Sequence, residues 1–180
     1  MGYAIRAYRV NLERVESRFG ITDKPKRRKI INRCAARAAS IDELGSYKTN
    51  APKFMEIVEE LLDGKATHER FGFMYWYAIE CFMEELGREM VPRDNYWEGR
   101  NLDLDFFYKH FSLWSIPAPM TIPTPDDFPT VFVLPAERIT EEFMTTTVNA
   151  AVPEYFQRGQ LQSWLKNAKQ YKQDLVLFYY

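Results

Sequence analysis

The sequence has few of the residues from which common catalytic and metal sites are built. It contains two cysteines, two histidines and eight glycines in 180 residues. Cys34, Cys81, His68 and His110 show no paired spacing, whereas a zinc site usually takes its ligands from closely spaced pairs. The low glycine content disfavours a glycine-rich phosphate-binding loop. The sequence therefore predicts no metal site and no cofactor, and it marks no residue as catalytic.

Long apolar runs and an excess of charge of one sign are also missing. The longest uninterrupted apolar run, residues 73–79, is far shorter than the roughly 20 residues that a membrane-spanning helix needs. The formal net charge of −1 disfavours a dedicated duplex-binding domain, because such domains are usually strongly basic. Two isolated thiols and a start without a signal-like core indicate a reducing compartment. We expect a cytoplasmic protein with no membrane partner, for which nucleic acid is a disfavoured partner.

Aromatic residues, by contrast, make up 16% of the chain. Most of them fall at helical or strand spacing, which assigns them to the core. A smaller surplus lies next to acidic residues and the proline-rich run: Tyr96, Trp97, Phe106, Phe107, Tyr108 and Trp114. If the protein binds a partner, we expect this surplus to take part.

Strand patterns occur at both ends of the chain and once in between. Residues 1–10 alternate with a period of two, residues 130–134 read TVFVL, and the chain ends in the apolar run DLVLFYY. Together they predict a small mixed or antiparallel sheet that includes both chain termini. Such a sheet would join residues 1–180 into a single domain, since a tail of about 50 residues could hardly form its own core.

Helical spacing accounts for much of the rest, and the predicted fold class is α+β, with the sheet packed against about five or six helices. The segment 70–86 is predicted to be the central helix, because its aromatic residues cover more than one face. The segment 11–20 is predicted to be a short helix that exits at Gly20 in a left-handed conformation. The other predicted helices cover residues 25–39, 51–64, 104–111, 136–147 and about 161–171.

Residues 117–129 contain five of the ten prolines. That density removes too many backbone donors for a helix or a central strand. We predict an extended crossover here, which either lies on the domain or acts as a linker.

The predicted helix over residues 24–37 carries seven cations. Lys26, Lys29, Arg33 and Arg37 share one face, which could hold phosphates, single-stranded RNA or an acidic partner. The alternative is a solvated helix face balanced by the acidic residues at 56–63. No aromatic residues are interleaved for base stacking, so the solvated face is the favoured interpretation.

Two acidic clusters are candidate binding sites. Asp126 and Asp127 could titrate apart as an acid and a base, although Asp beside Pro is also ordinary turn chemistry. Asp94, Tyr96 and Trp97 combine aromatic and acidic side chains, as protein-binding hot spots and sugar sites do. The alternative is that Trp97 closes the edge of the core.

Four stretches carry a resemblance to a known family: MGYAIRAYRVNLERV, FGFMYWYAIECFMEELG, DDFPTVFVL and WLKNAKQYKQDLVLFYY. Together they resemble a family of small bacterial proteins with no assigned activity. The resemblance spans nearly the whole chain and implies one domain, but none of the four stretches is a catalytic signature. The last helix and strand are also faintly similar to immunity-type proteins, which implies an immunity or antitoxin role.

Three hypotheses of function follow. The first is a small binding protein, an immunity or antitoxin-type inhibitor of a partner protein, with Asp94, Tyr96, Trp97, Asp126 and Asp127 as contacts. The second is a small enzyme or ligand-binding domain with a pocket beneath the proline-rich segment, in which Asp126 or Asp127 would exchange protons with His110. The third is an RNA-binding protein that uses the basic helix.

Overall fold

The computed structural model describes residues 4–90, 104–116, 120–125, 128–151 and 155–180. The chain folds into two compact units. The sheet unit is drawn from Met1–Asn11, Arg88–Trp114 and Thr130–Tyr180. The helix unit is drawn from Leu12–Gly87 and Ser115–Pro129. The single-domain organisation expected from the sequence stays a prediction.

The sheet unit contains one antiparallel sheet with strand order β2-β1-β5-β4-β3. The last strand lies at its centre, in register from Ile5 opposite Tyr179 to Val10 opposite Asp174 on one side. Both terminal strands and the TVFVL strand are confirmed. The two edge strands are only two residues long, and no sequence pattern marked them. The strands are β1 Ile5–Val10, β2 Arg88–Glu89, β3 Ser112–Leu113, β4 Thr130–Leu134 and β5 Asp174–Tyr179.

The centre of the sheet is apolar because β5 has no polar side chain between its ends. Four consecutive residues, 175–178, are completely buried, which is the pattern expected of a strand covered on both faces. Tyr8 of β1 meets Phe178 edge to face, with ring centroids 5.7 Å apart. The strand pairing and these rings form the core of the sheet unit.

The described part of the chain contains eight α-helices, so the α+β class is confirmed. The helix unit holds α1 Leu12–Glu16, α2 Lys24–Ala35, α3 Ala38–Gly45, α4 Phe54–Leu62 and α5 Gly72–Leu86. The sheet unit holds α6 Leu104–His110, α7 Val148–Ala151 and α8 Tyr155–Tyr171. In the helix unit, α5 contacts α1, α2, α3 and α4, as its aromatic faces predicted. In the sheet unit, α8 packs on β1 and β5, and α6 packs on β4.

One predicted helix is two helices. The segment 25–39 ends as α2 at Ala35, and α3 begins at Ala38. At the break, the Arg37 amide donates to the Cys34 carbonyl at 2.9 Å, an i to i−3 bond that tightens the turn. No glycine or proline marks this break in the sequence, and the Arg37 side chain in the turn contacts carboxylates of α5.

The predicted helix over residues 136–147 is also interrupted. A 3-10 turn at Ala136–Arg138 is followed by a π-helical turn at Phe143–Thr147 that leads into α7. The Asp174 carboxylate accepts from the Ala136 amide at 2.9 Å, and the Thr140 hydroxyl accepts from the Phe143 amide at 3.0 Å. Two separate caps therefore start two short turns where the periodicity predicted one helix.

The described prolines of the predicted crossover lie outside any helix or strand, and β4 begins directly after Pro129. Met120 and Ile122 are buried. A Cβ atom placed on Gly72 would be 2.5 Å from the Pro123 carbonyl oxygen and 2.6 Å from that of Thr124. Residues 120–125 therefore pack directly on the start of α5, in the same unit, and only glycine allows the approach.

Candidate functional site

The residues that the sequence placed in the binding site lie outside the described part of the chain. Asp94, Tyr96 and Trp97 fall within residues 91–103, and Asp126 and Asp127 form the gap at 126–127. Their role in binding stays a prediction. The candidate site is therefore built below from the described residues.

His110, the proposed proton carrier, ends α6 among aromatic rings. Its ring lies 4.8 Å from that of Phe106 and 6.1 Å from that of Phe143, measured between centroids. Burial and the nearby cations Lys109 and Arg138 lower the pKa of His110 below its usual value. None of the described carboxylates hydrogen-bonds the ring. These surroundings favour a neutral imidazole that packs against aromatic rings over one that exchanges protons with a carboxylate.

The surplus aromatic set expected to bind a partner is partly core. Phe106 and Phe107 are 4% and 1% exposed, and their rings pack against Phe111. The expectation is therefore wrong for these two residues, because both lie on the side of α6 that faces the sheet. Tyr108 is 56% exposed, although its ring meets Phe132 at 5.1 Å.

Four of the seven cations predicted on the basic helix bind acceptors within the helix unit. Lys26 pairs with Asp23, whose carboxylate also accepts from the Lys26 amide and caps the helix. The Arg27 guanidinium donates to the carbonyls of Ile21 and Leu62 at 3.1 and 2.7 Å, and it pairs with Asp63 at 2.9 Å. Arg27 thus ties the start of α2 to the end of α4.

Arg33 and Arg37 turn towards carboxylates of α5. Arg37 lies 2.5 Å from Glu80 and 3.3 Å from Glu84, and Arg33 lies 3.1 Å from Glu84. Among the described residues, Glu80 is the one charged residue that is fully buried. A buried carboxylate is tolerated only with paired charge or hydrogen bonds, so these cations hold the fold. Of the predicted basic face, Lys29 alone is exposed without an ion pair to any described residue, and Lys24 and Arg28 nearby are likewise exposed.

The two thiols lie in the interior of the helix unit, on α2 and α5. Cys34 and Cys81 are both free and fully buried. A hydrogen bond between the two thiols, together with burial, raises the pKa of Cys34 far above its usual range. A thiol held in its protonated form is a poor nucleophile, so Cys34 serves packing.

A cluster of polar side chains around Glu60 binds the segment between α4 and α5 to both helices. The Glu60 carboxylate accepts hydrogen bonds from the Thr67 amide at 3.0 Å, from the Thr67 hydroxyl and from the Tyr75 hydroxyl. It also lies 3.4 Å from His68 Nε2, while the His68 amide donates to the Tyr75 hydroxyl at 3.0 Å. Burial and the bond to Glu60 raise the pKa of Tyr75, so its proton stays in place.

An exposed aromatic surface lies elsewhere on the helix unit, at residues that no sequence motif marked. Tyr47 is 87% exposed, and it lines an open cavity of about 720 Å³ together with Lys48, Thr49, Glu69 and Arg70. We call these five residues the Tyr47 surface. The one feature of the sequence that could have indicated this surface is a single tyrosine in the polar loop GSYKTN, which does not belong to the apolar face of any helix or strand.

The Lys48 side chain shapes one wall of this surface. Its ammonium nitrogen lies 5.3 Å from the centre of the Phe73 ring and 6.0 Å from that of Phe71, and it is 3.4 Å from the Arg70 carbonyl oxygen. These cation–π contacts hold Lys48 across the cavity. Arg70 is exposed and has no ion pair with any described residue. The Tyr47 surface therefore combines a free aromatic ring with positive charge.

Within residues 4–90, 104–116, 120–125, 128–151 and 155–180, no three His, Cys, Asp or Glu side chains are grouped as a metal ion would require. No helix among the described residues has the length and apolar character needed to cross a bilayer.

The fold and these surfaces define a small α+β protein with a five-stranded antiparallel sheet that includes the strands near both ends of the chain. Over residues 1–180 the chain matches the family described as Domain of unknown function (DUF7691), and it belongs to that family. No curated protein and no solved structure matches the chain.

Proposed function

We propose that this protein is a binding protein that acts by covering part of a partner protein, and that the Tyr47 surface is its main anchor. The single observation that carries the proposal is the 87% exposure of the Tyr47 side chain beside an open cavity. Tyrosine and arginine are the side chains most enriched at the energetic centres of protein interfaces, together with tryptophan. The Tyr47 surface has both types, since the exposed Tyr47 lines the same cavity as Arg70.

The chemistry of the surface specifies the partner. Burial of the Tyr47 ring requires an apolar pocket on the partner. Lys48 and Arg70 place two cations next to that ring, against one carboxylate on Glu69. The partner that fits presents an apolar pocket with carboxylates at its edge, because opposite potentials favour docking and speed association.

The contacts of the basic helix favour protein binding over RNA binding. Arg27, Arg33 and Arg37 are held by acceptors of their own unit, so few cations remain for phosphates. The catalytic hypothesis receives no support from His110, which packs among rings without a described carboxylate partner. Asp94, Tyr96, Trp97, Asp126 and Asp127 remain predicted secondary contacts of the same partner.

The setting we propose is the cytoplasm of a bacterium, and the type of partner is a toxin that this protein inhibits. The two free, buried thiols support a reducing compartment, because neither is used in a disulfide. The inhibitor role rests on the resemblance to immunity-type proteins described above. A partner covered by a rigid aromatic anchor would be blocked without any chemistry performed by this chain.

The test is co-expression with the product of the neighbouring gene, followed by purification and a growth assay of the producing cells. We expect a complex that survives size-exclusion chromatography and suppresses the toxicity of the partner. Tyr47→Ala should weaken the complex by at least about 2 kcal/mol, roughly thirtyfold in Kd, because the ring is the proposed anchor.

Two further variants serve as controls for Tyr47→Ala. Tyr47→Phe keeps the ring and should retain most of the affinity. Leu113→Ala removes an exposed apolar side chain of the sheet unit and should leave the affinity unchanged. A neighbouring gene for housekeeping metabolism whose product forms no complex would overturn the proposal, and so would equal losses from Tyr47→Ala and Leu113→Ala.

A further inference from the structure

The sheet unit contains a cavity that belongs to none of the features described above. Its volume is about 460 Å³, and it lies where α8 meets the paired strands β1 and β2. Arg9 reaches it from β1, Arg88 and Glu89 from β2, and Asn167 and Tyr171 from α8. The volume falls within the range of about 300–1,000 Å³ that is typical of small-molecule sites.

Two polar atoms in the wall of this cavity lack hydrogen bonds. The Arg9 Nε–H group and the Asn167 side-chain oxygen are buried, and neither has a partner among the described residues. Buried polar atoms in folded proteins are nearly always hydrogen-bonded, and an unmatched one carries the full penalty of its lost hydration. One donor and one acceptor on two residues of the cavity wall are therefore unused, and each lies just beneath the accessible surface.

Other contacts fix the position of the Arg9 side chain, although its Nε–H group has no hydrogen bond. Its guanidinium lies over the Tyr171 ring, 3.7 Å from the ring centre, and its Nη1 atom donates to the Gln173 side-chain oxygen. A stacked guanidinium is pre-organised, so a ligand that bonds to it loses little side-chain entropy.

The charge in the cavity wall is positive. Arg9 and Arg88 contribute two guanidinium groups, and Arg88 has no ion pair with any described residue. The single acidic residue of the wall, Glu89, is already bound by Arg6, whose Nη2 and Nε atoms lie 2.9 and 3.0 Å from one carboxylate oxygen. The net field therefore favours an anion.

We infer that this cavity binds a small organic anion, a phosphate or carboxylate that also carries a hydroxyl or amine donor. The anionic group lies against Arg9 and Arg88, since guanidinium groups match the geometry of phosphate and carboxylate oxygens. The hydroxyl or amine donates to the Asn167 side-chain oxygen after a rotation of the Asn167 amide, which brings that buried atom to the cavity surface.

The test is a titration of the ¹⁵N-labelled protein, followed by NMR, with three probes of matched size. Glycerol 3-phosphate supplies a phosphate with hydroxyls, glycerate supplies a carboxylate with hydroxyls, and glycerol supplies the hydroxyls alone. We expect one of the two anions to shift the Arg9 Nε–H and Asn167 amide signals, while glycerol shifts neither. The anion that binds more tightly identifies the acidic group.

Two variants and a control make the result specific. Arg88→Gln removes an exposed cation, and Asn167→Asp keeps the size of the side chain but adds repulsion; each should raise Kd at least about tenfold. Lys169→Gln removes a cation of the same helix that pairs with Glu141 and does not line the cavity, so it should leave Kd within about twofold. Thermal unfolding of each variant checks that it folds.

The inference is overturned if neither anion shifts the two signals at about 10 mM, a concentration at which even millimolar affinity gives near-complete occupancy. It is also overturned if Lys169→Gln weakens binding as much as Arg88→Gln does, because that result describes non-specific attraction to a basic surface. None of the residues tested belongs to the Tyr47 surface, so loss of the partner complex and loss of anion binding are separate results.

Discussion

The Arg37 guanidinium lies 2.5 Å from the Glu80 carboxylate, which has no exposed surface. Arg37 stands in the turn between α2 and α3, and Glu80 lies in the middle of α5. The pair therefore connects the point at which a predicted helix breaks to the helix at the centre of its unit. Because burial makes the interaction with Glu80 strong, the Arg37 side chain holds the chain in a turn that local propensity does not encode.

Arg37→Met should lower the free energy of unfolding by about 3 kcal/mol, since it leaves the buried Glu80 carboxylate without its guanidinium. This expected loss lies at the low end of the range for a broken buried ion pair, because the Arg37 side chain is 24% exposed. Urea denaturation measures it. Adding Glu80→Leu to Arg37→Met should restore part of the loss, because the second change removes the unmatched charge.

Arg28→Met is the matched control for that experiment, since it removes an exposed arginine of α2. It should change stability by less than about 0.5 kcal/mol. Equal effects of the two arginine variants would contradict a special role for the Arg37–Glu80 pair.

Gly72→Ala should lower stability by about 1–3 kcal/mol, because its Cβ meets backbone oxygens of residues 123 and 124 that cannot move independently. Gly159→Ala is the opposite case. Gly159 lies within α8, and a Cβ there meets nothing within 4 Å, so alanine should raise stability by about 1 kcal/mol through its higher helix propensity. Thermal or urea unfolding of both variants measures the sign, and stabilisation by Gly72→Ala would contradict the observed packing of the proline-rich segment.

The Glu60 cluster should make stability fall in acid. Burial alone would raise the pKa of Glu60, but the hydrogen bonds from Thr67 and Tyr75 outweigh it and lower the pKa below the ordinary 4.5. A carboxyl whose pKa is depressed by folding contributes fully above the unfolded value, and that contribution is lost as the pH falls through the folded value. Glu60→Gln should therefore cost about 1–3 kcal/mol at pH 7, and the difference from the unmodified protein should shrink towards pH 3.

Glu59→Gln is the control, because Glu59 is the exposed neighbour of Glu60 on α4. Its unfolding should follow the pH profile of the unmodified protein. A gap between the Glu60→Gln variant and the unmodified protein that stays constant from pH 7 to pH 3 would show that the carboxylate form of Glu60 is not what stabilises the segment.

The elements with strong periodicity were predictable. The amphipathic face of α4 is buried at all five positions that its spacing selects: Phe54, Ile57, Val58, Leu61 and Leu62. The apolar run at the end of the chain is the central strand β5. Gly20 has the predicted positive φ of 72°, but the helix predicted over residues 11–20 is shorter, because α1 ends at Glu16. In each case the signal is local, because burial of one face or the backbone freedom of one glycine determines the outcome.

The candidate sites were less predictable. The Tyr47 surface consists of a loop and the turn that precedes α5, two stretches about twenty residues apart that have no common pattern. The anion cavity takes residues from positions 9, 88 and 167, and each of these looks like an ordinary surface residue in the sequence. A site of this kind depends on which strands pair and on where a helix crosses them, and neither is encoded within a single segment.

By itself, the sequence determined the α+β class, the strands near both ends and in the middle of the chain, and most of the helices, because each of these follows from the local distribution of apolar residues. Only the tertiary structure decided that Arg37 contacts the buried Glu80, that Phe106 and Phe107 are core, and that Arg9 and Asn167 line one cavity. The physical reason is that pairing, burial and hydrogen bonding between distant residues depend on distances that the chain acquires only when it folds.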